Sequence, residues 1–154
     1  MGNGKRHRTW MVALAAGALL MASPPVRAQG ADIITELSTA RAEQVLKDLK
    51  LDFNLVNPGT YRFNVAGYKV LFFNKGNNVQ LYASFKKTVT LTLINDWNRA
   101  KRYTRAYLDK DGDACLESDL DLEGGVSQGA IAELFKTWTT SLALFVAHID
   151  FKGE

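Results

Sequence analysis

A predicted β-hairpin at residues 103–119 constrains the fold of this chain more than any other stretch of the sequence. Its loop, Lys110-Asp111-Gly112, has the pattern of a three-residue connection in which a type I turn is followed by glycine at positive φ. The resulting register gives six pairs: Leu108 with Ala114, Tyr107 with Cys115, Ala106 with Leu116, Arg105 with Glu117, Thr104 with Ser118 and Tyr103 with Asp119. One face then carries mostly small or apolar side chains, whereas the other carries opposite charges and tyrosine rings. Because a one-residue slip would destroy that sorting, the hairpin predicts a defined antiparallel pairing.

The acidic residues of this segment do not fit a calcium site. Five Asp and two Glu lie between Asp109 and Glu123. An EF-hand loop has glycine at its sixth position and a carboxylate at its twelfth. Counted from Asp109, the glycine is fourth and the twelfth residue is Leu120. We therefore predict solvated acids beside a turn, with no metal site and no cofactor.

The chain before the hairpin is predicted to form a helix and then four strands. The helix runs from a capping Asp32 to about Lys50, and its apolar stripe consists of Ile33, Leu37, Ala40, Val45, Leu46 and Leu49. A short strand is expected at residues 53–56, and alternating side chains predict three more at 61–66, 68–73 and 79–85. The short turns between them favour antiparallel pairing with one face of the sheet covered.

A long last helix follows Gly124-Gly125. Ser127 is a suitable N-cap, and Val126 can pack against Ile131 as a hydrophobic staple. The apolar stripe of this helix comprises Ile131, Leu134, Phe135, Trp138, Leu142, Phe145 and Ile149. Leu144 and Val146 lie off the stripe, so they are apolar residues in excess of what one small sheet needs.

Residues 1–28 have the features of a cleaved export signal. Lys5, Arg6 and Arg8 precede an apolar run from Trp10 to Ala22, which is shorter than the span of about 20 residues that a membrane helix needs. Val26-Arg27-Ala28 fits the small-x-small cleavage rule. We predict a mature domain at residues 29–154, located in the periplasm or secreted, with no stable membrane insertion after cleavage.

Removal of this signal changes the charge balance. The whole chain has 19 Lys+Arg against 16 Asp+Glu, and loss of four basic residues leaves 15 against 16. The mature chain therefore lacks the basic excess that nucleic-acid binding requires, and no nucleic-acid partner is predicted. Its one cysteine, Cys115, is expected on the polar face of the hairpin with some exposure, and its one histidine is His148. One Cys and one His form no recognisable catalytic constellation, so we do not expect an enzyme.

Several of these residues carry a resemblance to a known family. The pattern consists of Trp97-Asn98, Tyr103-x-Arg105-Ala106-Tyr107-Leu108, Asp111-Gly112-Asp113 and Leu116-Glu117-Ser118-Asp119-Leu120-x-Leu122-x-Gly124-Gly125-Val126. It resembles the YbjN domain family of bacteria, most densely from Thr90 to Phe145. The resemblance implies a fold similar to that of type III secretion chaperones and a chaperone-like or regulatory role, with no catalytic residues to transfer.

Residues 88–101 receive different assignments from alternation and from resemblance. Val89, Leu91 and Leu93 alternate with threonines, which favours a strand. The family pattern implies a helix with Thr90 as its N-cap and with Ile94 and Trp97 along one side. We expect the helix, because Asn95-Asp96 suits a strand poorly.

The predicted fold class is α+β, an antiparallel sheet of about five to seven strands packed on one face by the N- and C-terminal helices. The predicted function is binding of a protein partner of unknown identity, with a homodimer as one form of it. The candidate surface is the outer side of the last helix at Leu144 and Val146, a sheet edge, or both. The alternative is a binder of a small apolar ligand between helices and sheet, in a pocket lined by Trp97, Trp138 and Phe145.

Overall fold

The computed structural model describes residues 1 and 33–153. The predicted signal peptide and Asp32 therefore lie outside the described residues, apart from Met1. The elements in chain order are β1 (Ile33–Ile34), α1 (Thr39–Asp48), β2 (Phe53–Asn57), β3 (Thr60–Val65), β4 (Tyr68–Asn74), β5 (Asn78–Thr88), α2 (Leu91–Ala100), β6 (Arg105–Leu108), β7 (Asp113–Asp121), β8 (Val126–Ser127) and α3 (Gln128–His148).

Six of the strands form one antiparallel sheet in the order β2-β3-β4-β5-β7-β6, and β1 pairs with β8 in a separate two-stranded ribbon. The alternation along β5 orients the sheet, because Val79, Leu81, Ala83 and Phe85 are buried while the residues between them are not. Ring contacts place α3 on this buried face, with Phe135 against Phe63 and Phe72. The predicted α+β class is confirmed.

The predicted hairpin register is confirmed from Leu108–Ala114 to Arg105–Glu117. Gly112 has φ +80°, the positive value that the loop requires. The two outer predicted pairs are not part of the ladder, because Tyr103 adopts φ +67° and its carbonyl oxygen instead accepts a hydrogen bond from the Ser118 hydroxyl at 2.6 Å.

The helix expected between Thr88 and Lys101 is present as α2. The Thr90 hydroxyl caps it by accepting a hydrogen bond from the Leu93 N–H at 3.2 Å. Ile94 and Trp97 face the core and are 3% and 1% exposed. Burial of this helical face outweighs the alternation of Val89, Leu91 and Leu93.

The predicted start of the first helix is wrong. Ser38, not Asp32, caps α1, and its hydroxyl accepts a hydrogen bond from the Arg41 N–H. Ile33 and Ile34 form β1 instead, paired with Ser127 and Val126. The local spacing of apolar residues cannot reveal this pairing, because the partner strand lies more than 90 residues away along the chain.

The last helix begins as predicted, with the Ser127 hydroxyl accepting a hydrogen bond from the Ala130 N–H at 3.2 Å. Among the described residues, α3 is long and apolar enough to cross a membrane by length and composition alone. The core helix of a globular domain passes the same test, and six residues of α3 are buried against the rest of the fold: Ile131, Phe135, Trp138, Leu142, Phe145 and Val146.

Candidate functional site

The outer side of α3 exposes apolar surface at one of the two positions singled out in the sequence. Leu144 is 47% exposed. Val146 is only 8% exposed and belongs to the hydrophobic core, so its assignment to an external surface is corrected. The reason is geometric: Val146 follows the fully buried Leu142 by four residues, and residues at that spacing share one face of a helix.

The surroundings of Leu144 are unusually poor in charge. The sequence contains no charged residue between Thr137 and Ala147. Five positions of that stretch are nevertheless exposed: Thr139, Thr140, Ala143, Leu144 and Ala147. Exposed helix faces normally carry charged side chains, and depletion of charge around an apolar centre is typical of protein interfaces. We call these five residues the α3 outer face.

The three residues nominated for an apolar pocket pack as core. Trp97, Trp138 and Phe145 are each at most 1% exposed. The rings of Trp97 and Phe145 meet edge to face at 5.0 Å, and the Trp97 indole N–H donates to the Thr104 hydroxyl at 3.2 Å. The packing of these rings gives the apolar-ligand alternative no support.

The two edges of the main sheet differ in how they are protected. At β6, the side chain of Asn98 makes the two hydrogen bonds that a neighbouring strand would make with Ala106. Its Nδ2 donates to the Ala106 carbonyl oxygen and its Oδ1 accepts from the Ala106 N–H, both at 2.9 Å. At the other edge, no strand of the described chain pairs with the outer side of β2. Leu55 and Val56 of β2 are 55% and 45% exposed. Unprotected apolar edges are sites of strand addition.

A polar cluster lies on the sheet face opposite the helices. The Arg105 guanidinium donates to the carboxylate of Glu117, which is buried although its partner is exposed. Burial raises the pKa of Tyr107 to about 12, and the Glu117 carboxylate beside it acts in the same direction. Arg105 thus gives the buried Glu117 side chain the hydrogen-bonded, oppositely charged partner that a buried carboxylate needs.

Cys115 belongs to this cluster and is buried, so its predicted exposure is wrong. Its Sγ lies 3.2 Å from the Tyr82 hydroxyl, and burial is the main cause that raises the pKa of the thiol. A thiol with a raised pKa is a poor nucleophile, because the thiolate is the reactive form. The hairpin register placed Cys115 correctly on this face, but register alone does not show that neighbouring tyrosines cover it.

Among the acidic residues around the hairpin loop, Asp109 stabilises the turn by hydrogen bonding. The Asp109 carboxylate oxygen accepts hydrogen bonds from the N–H groups of Asp111 and Asp113, both at 2.9 Å. Across residues 33–153 no three His, Cys, Asp or Glu side chains are grouped so as to hold a metal ion.

Asn98 was missed as a positioning residue by reasoning from the sequence. A signal existed, because an Asn seven residues before a strand can reach that strand's edge. Its spacing alone does not reveal which backbone groups it meets.

A family model described as "Putative bacterial sensory transduction regulator", named YbjN, matches residues 40–151. Comparison with curated proteins finds no match. Among solved structures, YbjN from E. coli is similar with a TM-score of 0.53 at 16% identity, over 72% of this chain and 93% of that one.

Two structures of type III secretion systems are similar to the same extent. One is the Yersinia pestis chaperone SycH in complex with a fragment of YscM2, with a TM-score of 0.51 at 19% identity, over 70% of this chain and 94% of that one. The other is the heterodimeric ExoU–SpcU complex of Pseudomonas aeruginosa, with a TM-score of 0.52 at 14% identity, over 69% and 95%. At these identities the similarity shows a shared fold.

Proposed function

Because the chain belongs to the YbjN family, we propose that it is a non-enzymatic protein-binding module of the chaperone-like or regulatory kind. Two structures of similar fold were solved as complexes with a protein: SycH with its YscM2 fragment, and the ExoU–SpcU heterodimer. A fold that binds proteins in those cases supports the same use here, although fold alone does not determine function.

The observation that carries the proposal is the exposed Leu144 at the centre of the uncharged α3 outer face. The small side chains around Leu144 allow a partner to approach closely, and burial of the Leu144 side chain then stabilises the complex. The nearest charged residues in the sequence are Lys136 before the uncharged stretch and Asp150 after it. An apolar centre with polar surroundings is the usual organisation of a protein interface.

We further propose that the protein acts after export. The support is the arrangement of Lys5, Arg6 and Arg8, the apolar run and the Val26-Arg27-Ala28 site in the sequence. Binding would then occur in the periplasm or outside the cell, with a homodimer among the possible complexes.

Leu144→Lys tests the surface. A charge at the centre of an interface must be desolvated on binding, so we expect at least a tenfold loss of affinity for the partner or for a second copy. The measurements are affinity capture from extracts of the source cells, with mass spectrometry, and light scattering of the purified mature protein. Circular dichroism melting should be nearly unchanged, because Leu144 lies outside the core.

Ala132→Lys is the matched control, since Ala132 is also exposed but lies three turns away on the same helix. It should keep every association that the unmodified protein shows. Equal capture and equal mass for Leu144→Lys and the unmodified protein would show that the α3 outer face is not the binding surface.

A further inference from the structure

The face of the main sheet that points away from α3 has an apolar centre. Leu71 pairs with Tyr82 across the β4–β5 ladder, and the ring of Phe73 lies 6.3 Å from that of Tyr82. These three side chains are half-buried, whereas their chain neighbours Phe72 and Leu81 are fully buried in the core. Because alternate residues of a strand point to opposite faces, the three lie together on the side away from the core. We call Leu71, Phe73 and Tyr82 the sheet patch.

Basic side chains flank the sheet patch on its β3 side. Arg62 lies directly opposite Leu71 in the β3–β4 ladder. Lys69 precedes Leu71 by two residues on β4 and therefore shares its face. Both basic side chains are exposed, and neither takes part in an ion pair within residues 33–153. This side of the patch is positive.

Acidic side chains flank the sheet patch on its β7 side. Asp119 lies opposite Gln80, and Gln80 in turn lies opposite Phe73, so Asp119 shares the face of the patch. Asp121 follows two residues later on the same side of β7. Both carboxylates are exposed. This side of the patch is therefore negative.

The opposite charges cannot neutralise each other within one chain. Strands β4 and β5 lie between β3 and β7, so Arg62 and Asp119 are separated by three strand spacings. At about 4.8 Å per spacing this is about 14 Å, beyond the reach of an ion pair. Glu117 of β7 is already paired with Arg105. The face therefore has an apolar centre between a basic and an acidic side.

We propose that a second copy of this chain docks on this face, with the two sheet patches in contact around a two-fold axis. The axis lies in the plane between the two sheets and passes through the patch, so the basic side of each copy lies over the acidic side of the other. Arg62 of each copy then meets the partner's Asp119. This inference rests on the proposed protein-binding function and assigns the homodimer to the opposite face of the sheet from α3.

Self-complementarity is the reason for choosing a second copy as the occupant. A partner of uniform charge would be attracted on one side of the patch and repelled on the other. A two-fold dimer instead makes the Arg62–Asp119 contact twice, and face-to-face packing of two antiparallel sheets is a common arrangement. The apolar patch then forms the centre of the interface and the charges form its rim, as is usual in protein interfaces.

The mass of the mature protein in solution tests the proposal. Sedimentation equilibrium from about 1 μM to about 1 mM should show a rise from the mass of one chain to that of two. Arg62→Glu and Asp119→Lys should each raise the Kd of the dimer at least tenfold, because like charges then meet twice in every dimer. A protein that stays monomeric through this range, or a dimer that neither variant weakens, would overturn the inference.

Lys75→Glu is the control for net charge, since Lys75 is exposed in the loop between β4 and β5 and this change equals that of Arg62→Glu. It should leave the Kd of the dimer nearly unchanged. Equal weakening by Lys75→Glu and Arg62→Glu would show diffuse repulsion between the copies and would overturn the contact.

A mixture of the two interface variants identifies the contact independently of folding. Fluorescein-labelled Arg62→Glu protein, titrated with Asp119→Lys protein, should bind with the affinity of the unmodified dimer, because each substituted position then meets an opposite charge. Asp111→Lys carries the same change of charge as Asp119→Lys but on the exposed hairpin loop, so it should bind the labelled protein at least tenfold more weakly. Equal binding of both would overturn the Arg62–Asp119 contact.

The dimer formed through the sheet patch should survive Leu144→Lys, and Arg62→Glu should keep every association that depends on the α3 outer face. A dimer that Leu144→Lys abolishes and Arg62→Glu leaves intact would overturn this inference while supporting the α3 surface. Failure at the sheet patch is therefore distinguishable from failure of the proposed function.

Discussion

At the scale of single residues, Asp109 explains why an acidic segment forms a turn. One oxygen of its carboxylate accepts hydrogen bonds from two backbone N–H groups of the loop, and its own N–H donates to the Asp113 carbonyl oxygen at 3.0 Å. Aspartate side chains commonly close turns in this way. The loop is thereby held in the conformation that gives Gly112 its positive φ.

Gly112→Val should destabilise the protein. A β-branched side chain is strained at φ +80°, whereas glycine is not. Nothing crowds the position, since an added Cβ would lie 3.9 Å from the nearest atom, a Thr88 methyl group. The loss therefore comes from backbone strain, and we expect about 1–3 kcal/mol in the free energy of unfolding, measured by urea denaturation.

Gly124→Val and Lys110→Ala are controls for this change. An added Cβ at Gly124 meets no atom within 4 Å, and Lys110 is exposed in the loop. Each should change the free energy of unfolding by less than about 0.5 kcal/mol. A midpoint for Gly112→Val equal to those of the controls would contradict the strain argument.

At the scale of elements, the helix–strand contact between α2 and β6 depends on Asn98. Asn98→Ala should leave the N–H and C=O of the buried Ala106 without their partner. An unsatisfied buried polar group costs about 1–3 kcal/mol, so we expect a loss of that order in the free energy of unfolding. Chemical denaturation followed by circular dichroism measures it.

Asn95→Ala tests whether the loss is specific, because Asn95 is exposed on the same helix. Alanine favours helix formation, so this control should be neutral or slightly stabilising. Equal losses at Asn95 and Asn98 would mean that the side-chain pairing at β6 contributes nothing to stability.

Elements whose signals are local were predicted from the sequence. The 103–119 hairpin follows from its loop residues and alternation, and α3 follows from the Ser127 cap and its stripe. The start of α1 was not predictable in this way, because Ile33 and Ile34 take their structure from pairing with β8. Resemblance, rather than periodicity, gave the correct helix at α2.

Within the candidate site, Leu144 could be found from the sequence and the burial of Val146 could not. Both lie off the ideal stripe, and the difference between them depends on how far the fold covers each side of α3. The end of the β4–β5 ladder at Leu71–Tyr82 was not predicted either, because both strands alternate regularly through that point. The ring of Phe151, near the C-terminus, packs at that point, and strand alternation does not reveal it.

At the scale of the whole molecule, the proposed export makes a prediction about the mature protein. Ala28 is the well-placed small residue for cleavage, so material recovered from the periplasm or medium should begin at Gln29. N-terminal sequencing or intact mass measurement checks this. Recovery of full-length chain in the membrane fraction would contradict export as a cleaved protein.

The unequal protection of the two sheet edges limits how large an assembly built from this sheet can become. If two copies join through β2, each contributes the edge of the main sheet that nothing in residues 33–153 covers, and the resulting double sheet ends at β6 on both sides. Asn98 already satisfies Ala106 at each of those ends. Within the described part of the chain, the main sheet then offers a third copy only β6 edges that Asn98 already covers at Ala106, so growth into a fibre stops at a pair.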